Sequence, residues 1–340
     1  MKTPKVLFVL KERKIYNSYS SSFIHSGLYN SATFVSNMLR QNGIESNLVN
    51  VIDNNGIDRE IHKYKPTHVI IEALWVVPSK FEVLHKKYPH ITWIVRVHSE
   101  IPFIAGEGIA LEWLYAYMRD ADAFNIVVAP NSEKMLHDIR SIGIKNTEYL
   151  PNYYPLEQVQ AQPETVFKNH IDIGCFGAIR PMKNQLIQAI AAIQFGNDVG
   201  MPIHFHINAS RVEKGESALR NIRELFENNP EHTLVEHEWY SHHELIQLIR
   251  KMDLGLQVSF NETYNIVAAD FAANGIPIVG SAEIKWMSWV YQALPTCSKS
   301  IKNRLKIAYF GDIICLQKLN KWNLVDDSEI AKLTWLTYFK

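Results

Sequence analysis

The stretch NETYNIVAADFAANGIPIV, residues 261–279, joins a turn, a short helix and a buried strand. Asn274 and Gly275 are residue types that end a helix, and the proline and apolar run after them predict a strand. The turn before the helix points backbone N–H groups outward at the helix N-terminus, which suits a phosphate. Glu262 lies beside this anion site, and Asp270 lies two helical turns further on, where it can accept hydrogen bonds from a ribose. The stretch therefore predicts a nucleotide-binding helix in a parallel sheet, and the alternative is an ordinary Asn-capped helix.

Length and composition are typical of a two-domain enzyme. The chain has 340 residues, which exceeds the usual size of a single domain. Hydrophobic residues make up 47% and charged residues 21%, so the chain is neither disordered nor fibrous. The three cysteines, Cys175, Cys297 and Cys315, have neither a disulfide framework nor a metal-ligand spacing, which favours a reducing compartment. The first apolar run, residues 6–10, is too short for a signal peptide or a membrane span, so we expect a cytoplasmic protein.

Strand-like and helix-like segments alternate along both halves of the chain, which predicts parallel, helix-covered sheets. In the first half the predicted strands are 6–10, 48–52, 67–72, 93–97 and 124–128, and the predicted helices are 29–41, 80–87, 110–119 and 132–141. In the second half the predicted strands are 171–176, 204–207, 233–236, 255–258 and 276–279, and the predicted helices are 184 onward, 218–226, 242–250 and 264–274. Two such series predict two Rossmann-like domains facing one another across a cleft. We place the domains at 1–150 and 169–340, joined by a linker at 151–168, with the final helix packing back on the first domain.

The carboxylate pair resembles the donor-site signature of retaining glycosyltransferases of the GT-B fold, in particular family four. Glu262 and Asp270 enclose seven residues, as in that signature, although the second acid of the family is usually glutamate. Tyr264-Asn265-Ile266 stands where the family has Phe-Gly-Leu. The resemblance covers about residues 5 to 290. It implies sugar transfer from a nucleoside-diphosphate sugar, with UDP favoured, with retention of anomeric configuration and without a metal ion or other cofactor.

The resemblance also implies roles for residues that follow predicted strands. Arg180 and Lys183 would bind the donor diphosphate, although Ala178 stands where the family usually has arginine. His98 would touch the donor sugar near the reacting face, and Glu72 would contact the acceptor. The catalytic set is thus His98, Arg180, Lys183 and Glu262. Donor binding is assigned to Gly27 and Leu28 in the first domain, to Trp239 and Tyr240 at the base, and to Thr263, Tyr264, Asn265, Ile266, Val267 and Asp270 around the phosphate and ribose.

Two histidine pairs look like metal ligands, but their context argues against a metal. His204 and His206 lie in a predicted strand, and His242 and His243 lie at a predicted helix start, without cysteines or clustered carboxylates. Solvated or core histidines are therefore expected, and no metal site is predicted.

The acceptor is predicted from a narrower resemblance. Residues 72–78, 97–103 and 179–184 look like glycosyltransferases of large tailed bacteriophages, some of which add sugars to 5-hydroxymethylcytosine in double-stranded DNA. Host cytoplasm would then be the location. Lys11, Arg13 and Lys14, with Lys80, Lys86 and Lys87, would supply a basic rim for DNA, or they are solvated surface charges. The formal charge of zero lowers the odds of a nucleic-acid partner. A glycan, lipid-linked or protein acceptor, and a non-catalytic sugar-binding module, remain alternatives, and the oligomeric state is open.

Overall fold

The computed structural model of the chain describes residues 3–12, 27–156, 168–311 and 318–340. These residues form two compact α/β units. Among them, the first unit contains residues 3–12, 27–155 and Ser328–Lys340, and the second lies between Leu156 and Asp327. Arg13, Lys14, Cys315 and most of the expected linker, residues 157–167, lie outside the described residues.

The first unit is a parallel five-stranded sheet covered by helices, in the strand order β2-β1-β3-β4-β5. Its strands are β1 Lys5–Lys11, β2 Glu45–Val51, β3 His68–Glu72, β4 Thr92–Val97 and β5 Ile126–Pro130. Its helices are α1 Gly27–Gln41, α2 Ile57–Tyr64, α3 Pro78–Lys87, α4 Ile101–Ile104, α5 Ala110–Arg119, α6 Ala121–Phe124 and α7 Glu133–Ser141. Because helices cover both faces, β5 is buried at every residue and reads as a continuous apolar run.

The second unit repeats this architecture in the strand order β10-β9-β6-β7-β8. Its strands are β6 Ile171–Gly174, β7 Ile203–Asn208, β8 Thr233–His237, β9 Leu254–Gln257 and β10 Ile278–Gly280. Its helices are α8 Gln185–Val199, α9 Glu216–Glu227, α10 His242–Ile249, α11 Ile266–Ala273 and α12 Ser298–Phe310, and a last helix, α13 Lys318–Tyr338, ends the chain. Short 3₁₀ turns occupy Pro181–Lys183 and Trp289–Tyr291.

The predicted bounds shift where a left-handed residue interrupts an element. The strand predicted at 124–128 begins only at Ile126, because α6 runs to Phe124 and Asn125 caps it with φ 54°. The helix predicted at 264–274 begins only at Ile266, because Asn265 has φ 68°. Helix α2 has no counterpart in the sequence prediction, since its eight residues bury only Ile57 and Ile61.

The end of α13 packs within the first unit. The indole Nε1 of Trp335 donates to the carbonyl of Pro151 at 2.8 Å, and its ring lies 6.1 Å from that of Phe8. Phe339 meets His68 edge to face at 5.2 Å between ring centroids. These contacts attach residues 328–340 to the sheet of the first unit. Among the described residues, none of the helices has the length and apolar character that crossing a membrane requires.

Candidate active site

Two loops of the second unit meet at the carboxyl ends of the neighbouring strands β6 and β9. Phe260 N donates to the carbonyl of Met182 at 2.9 Å, and Asn184 Nδ2 donates to the carbonyl of Val258 at 3.0 Å. The carboxyl ends of parallel strands are where such sheets bind ligands. The loops bring Lys183 and Glu262 together although they are 79 positions apart, and Lys183 Nζ donates to Glu262 Oε1. Two residues that the sequence placed in one donor site are therefore direct neighbours.

Asn265 organises the turn that starts α11. Its backbone is left-handed, which asparagine tolerates better than most residues and which explains how it stands in place of a family glycine. Its Oδ1 caps the helix by accepting from Ala268 N at 2.9 Å, and its Nδ2 donates to Glu262 Oε1 at 3.0 Å and to Gln257 Oε1 at 2.8 Å. Ile266 and Val267 are the first two residues of α11, so their N–H groups lack the intrahelical acceptors that later residues of a helix have. This helix end therefore presents donors to an anion, beside the Glu262 carboxylate.

Arg180 belongs to a second charged cluster at the same edge of the sheet. Its Nη2 pairs with Glu213 Oε2, and Arg211 Nη2 pairs with Glu213 Oε1 at 2.7 Å. Burial alone would raise the pKa of Glu213, but the two guanidinium groups hold that pKa below its usual value. The Arg211 guanidinium lies 4.3 Å above the ring of Trp239, in a cation–π contact. The cluster thus connects the predicted diphosphate ligand Arg180 with Trp239 of the predicted base pocket, and Tyr240 follows Trp239 in the loop after β8.

Asp270 does not occupy the place that the sequence predicts. Its side chain is fully buried in α11, and its Oδ1 accepts a hydrogen bond from His242 Nε2 at 2.8 Å. The predicted direct contact with a ribose is therefore wrong for this structure, because the shorter aspartate side chain stays beneath the imidazole. His242 itself is partly exposed, with 25% of its side chain accessible. Burial lowers the pKa of His242, but the Asp270 carboxylate outweighs burial and raises it above its usual value.

The first unit places Glu72 and His98 at the ends of β3 and β4. Glu72 is fully buried, pairs with Arg96 Nη1 at 3.2 Å and hydrogen-bonds His98 Nε2. The prediction that Glu72 contacts an acceptor is therefore wrong, since its carboxylate lies inside the unit and orients His98. Burial lowers the pKa of His98 below its usual value, although the Glu72 carboxylate acts in the opposite direction. The other ring nitrogen, Nδ1, lies 3.4 Å from Asn131 Nδ2.

The remaining predicted residues of the first unit lie on its surface. Gly27 is the exposed first residue of α1, two positions before the predicted helix start. Leu28 is half-buried, and Lys11 is the exposed last residue of β1. Lys86 and Lys87 of the expected basic rim pair with acidic side chains at 2.7 Å, Lys86 with Glu82 and Lys87 with Asp58.

The strand histidines of the second unit surround Asp172 at the opposite, amino-terminal end of the sheet. His206 Nε2 lies 2.9 Å from Asp172 Oδ1, and Lys168 Nζ donates to Asp172 Oδ2 at 2.6 Å. His170, Asp172 and His204 offer ligand atoms within 4.8 Å of one another. The rings of His170 and His204, however, stack at 3.7 Å with an interplanar angle of 16°. Two parallel stacked rings cannot both direct in-plane lone pairs at one ion, so this arrangement is a hydrogen-bonded charge cluster.

Comparison with known proteins identifies the fold. No protein-family model matches the chain, and no curated protein sequence matches it. Among solved structures, sucrose-phosphate synthase of Thermosynechococcus elongatus has a TM-score of 0.70 at 12% identity, covering 99% of this chain and 98% of that chain. HepE of Anabaena in complex with UDP has a TM-score of 0.65 at 13% identity, covering 97% and 95%. A trehalose-6-phosphate structure from E. coli bound with UDP-2-fluoro glucose has a TM-score of 0.65 at 10% identity, covering 98% of each chain. The α/β class with two Rossmann-like units is thereby confirmed, and the chain has the GT-B fold.

Proposed function

We propose that the chain is a retaining glycosyltransferase that moves a sugar from a nucleoside-diphosphate sugar, with UDP-sugars favoured, to a hydroxyl group. The contact between Lys183 and Glu262 beside the N-terminus of α11 carries this proposal. It gathers a cation, a carboxylate and backbone donors at one strand end, which are the groups that a sugar diphosphate needs. Solved structures of the same fold with UDP and with UDP-2-fluoro glucose support the choice of nucleotide.

In the proposed reaction the bond between the sugar C1 and the diphosphate oxygen breaks, and a bond from C1 to the acceptor oxygen forms. Negative charge grows on the leaving diphosphate, where Lys183, Arg180 and the N–H groups of Ile266 and Val267 stabilise it. The acceptor proton passes to a diphosphate oxygen on the same face of the sugar. Glu262 accepts hydrogen bonds from sugar hydroxyls while Asn265 fixes its orientation. These fixed cations take the part that a metal ion plays in other transferases, so we propose activity without a metal.

For the acceptor we propose 5-hydroxymethylcytosine in duplex DNA, on the strength of the three phage-like segments. Such a base has to leave the helix stack to reach an enzyme site. Since Lys86 and Lys87 are each paired with an acid, the proposed rim rests on Lys11, Arg13 and Lys14. A glycan, lipid-linked or protein acceptor is the second candidate, and a binding module without transfer is the third.

The test is incubation of the enzyme with duplex DNA containing hydroxymethylcytosine and a panel of UDP-, GDP- and ADP-sugars, with and without EDTA. Nucleoside mass spectrometry detects the product, and release of nucleoside diphosphate is measured in parallel. Duplex DNA with ordinary cytosine is the matched substrate control, and Lys183→Ala is the matched enzyme control. Sugar on hydroxymethylcytosine supports the whole proposal. Diphosphate release without modified DNA keeps the transferase and overturns the DNA acceptor, while no release with any donor points to the binding module.

A further inference from the structure

We propose that His242, oriented by the buried Asp270, binds a ribose hydroxyl of the donor nucleotide. The inference rests on the proposed function, because it requires a nucleoside diphosphate in the second unit. It gives His242 a specificity role and Asp270 a positioning role, in place of the direct ribose contact predicted for Asp270.

His242 stands at the ligand-binding edge of the second sheet. It is the first residue of α10, five positions after β8 ends at His237, and Trp239 lies in the loop between the two elements. A capping box holds this helix start, since Ser241 Oγ accepts from Glu244 N at 3.3 Å and Glu244 Oε2 accepts from Ser241 N at 2.9 Å. The backbone that carries His242 is therefore fixed before any ligand arrives.

The carboxylate beneath His242 fixes the ring as well. An ionised carboxylate only accepts hydrogen bonds, so Nε2 of His242 carries the proton that it donates to Asp270 Oδ1. A second connection holds the two helices in register, since Asn274 Nδ2 donates to the carbonyl of Asp270 and Arg250 Nε donates to Asn274 Oδ1. A buried carboxylate that orients a histidine selects its tautomer and makes its other nitrogen a better acceptor. The imidazole is thus a preorganised polar group at a partly exposed position.

A ribose hydroxyl is the nucleotide group that this imidazole suits best. The hydroxyl donates and accepts, so it can pair with Nδ1 of a neutral ring and with the N–H of a charged one. In the proposed function the phosphates are bound by Lys183 and the start of α11, and the base lies near Trp239, in the loop that leads to His242. The Asp270 carboxylate is fully buried, so it cannot contact the ribose itself. It only has to reach His242, and an aspartate side chain is long enough for that.

The experiment is a cycle of protein and ligand changes, read by calorimetric titration. UDP, 2′-deoxy-UDP and 3′-deoxy-UDP are each titrated into the wild type, His242→Ala and His243→Ala. His243 is the exposed neighbour on the same helix and serves as the matched control. We expect one deoxy ligand to bind the wild type about tenfold more weakly than UDP, the effect of one lost hydrogen bond. We expect His242→Ala to bind UDP about tenfold more weakly too, but to bind UDP and that deoxy ligand equally.

Asp270→Asn separates positioning from folding. The asparagine Oδ1 can still accept from His242 Nε2, so the fold should persist while the hold on the ring weakens. We expect intermediate discrimination between UDP and the sensitive deoxy ligand, with an unchanged unfolding midpoint. If His242→Ala still binds UDP about tenfold more tightly than the deoxy ligand, the effects of the two changes are independent. That result would overturn the inference and leave the proposed function intact. A wild type that binds no nucleoside diphosphate would overturn the proposed function itself.

Discussion

Glu262 and Lys183 are the residues whose pairing says most about the chemistry. The carboxylate accepts from the Lys183 ammonium and from Asn265 Nδ2, so its position is fixed without a ligand. Fixed charges of this kind act on the reacting groups without having to reorganise, which is why they lower a barrier.

Replacing Glu262 by glutamine should separate turnover from binding. Glu262→Gln keeps the shape of the side chain but removes the charge that orients Lys183 and the sugar. We expect kcat for donor turnover to fall at least about tenfold, while the Kd for UDP changes by less than about threefold. Steady-state kinetics and calorimetry measure the two quantities. A weaker Kd for UDP with an unchanged kcat would instead show that the carboxylate acts on nucleotide binding alone.

At this scale the sequence could place Lys183 and Glu262, because both belong to local patterns after strands. It could also predict a turn before α11, but not the left-handed backbone of Asn265 that delays the start of that helix. It could not identify Glu213 or His242, because their partners lie on other elements of the fold. The burial of Glu72 at the end of β3 and of Asp270 within α11 could not be predicted either, since a polar residue in the sequence looks the same whether its side chain points outward or inward.

Among the secondary-structure elements, β4 carries a buried arginine that joins several parts of the first unit. Arg96 is fully buried, pairs with Glu72, and donates to the carbonyls of Leu150 at 3.1 Å and Pro151 at 2.7 Å. The ring of Trp335 covers it at 5.1 Å. The arginine thus ties two strands to the segment where the chain leaves the first unit.

Arg96→Ala should therefore destabilise the first unit by about 3–5 kcal/mol, because it leaves Glu72 as a buried charge without its arginine. Urea unfolding measures the change. The matched control is Lys87→Ala, which removes a surface pair with Asp58 and should leave the urea midpoint unchanged within error. A comparable change in the two variants would contradict this account of the buried pair.

Element type was predictable wherever an apolar run or a helical period was long. The central part of β1 and all of β5 are buried, and their continuous apolar sequence indicates this directly. The first and last residues of the elements were less predictable. Asn125 ends α6 and Asn265 delays the start of α11 through left-handed backbone conformations, which hydrophobic periodicity does not reveal. The short α2 was missed because two buried isoleucines in eight residues make no visible period.

For the molecule as a whole, acid pH should lower stability through the histidines of the second unit. Burial and the neighbouring His206 lower the pKa of His237 from 6.5 to about 4. The unfolded chain therefore takes up this proton first, so stability present above pH 6.5 is lost as the pH falls toward 4. We expect the midpoint temperature of unfolding to decrease as the pH is lowered from 7.5 to 5. His237→Asn should flatten the dependence, and His90→Asn, at an exposed position, should leave it unchanged. A midpoint independent of pH in the wild type would refute this role.

The balanced charge of the chain limits how strongly the proposed DNA acceptor could be bound through its phosphates. With 35 basic and 35 acidic residues, we expect a basic rim that makes about four phosphate contacts. A plot of the logarithm of the affinity against the logarithm of the salt concentration should then have a slope of roughly −3 to −4. Replacing Lys11, Arg13 and Lys14 together by serine should flatten that slope and leave donor hydrolysis intact. Filter-binding titrations across a salt series measure it. A salt-independent affinity would favour a glycan or other uncharged acceptor.

The central claim is that Lys183 and the start of α11 bind the diphosphate of a nucleotide donor. Calorimetric titration of UDP and UMP into the wild type and Lys183→Ala tests it most directly, with Lys251→Ala as the exposed-lysine control. The account predicts that the wild type and the control bind UDP at least about tenfold more tightly than UMP, and that Lys183→Ala loses this preference. A wild type that binds neither nucleotide, or a Lys183→Ala variant that keeps the full preference for UDP, would contradict it.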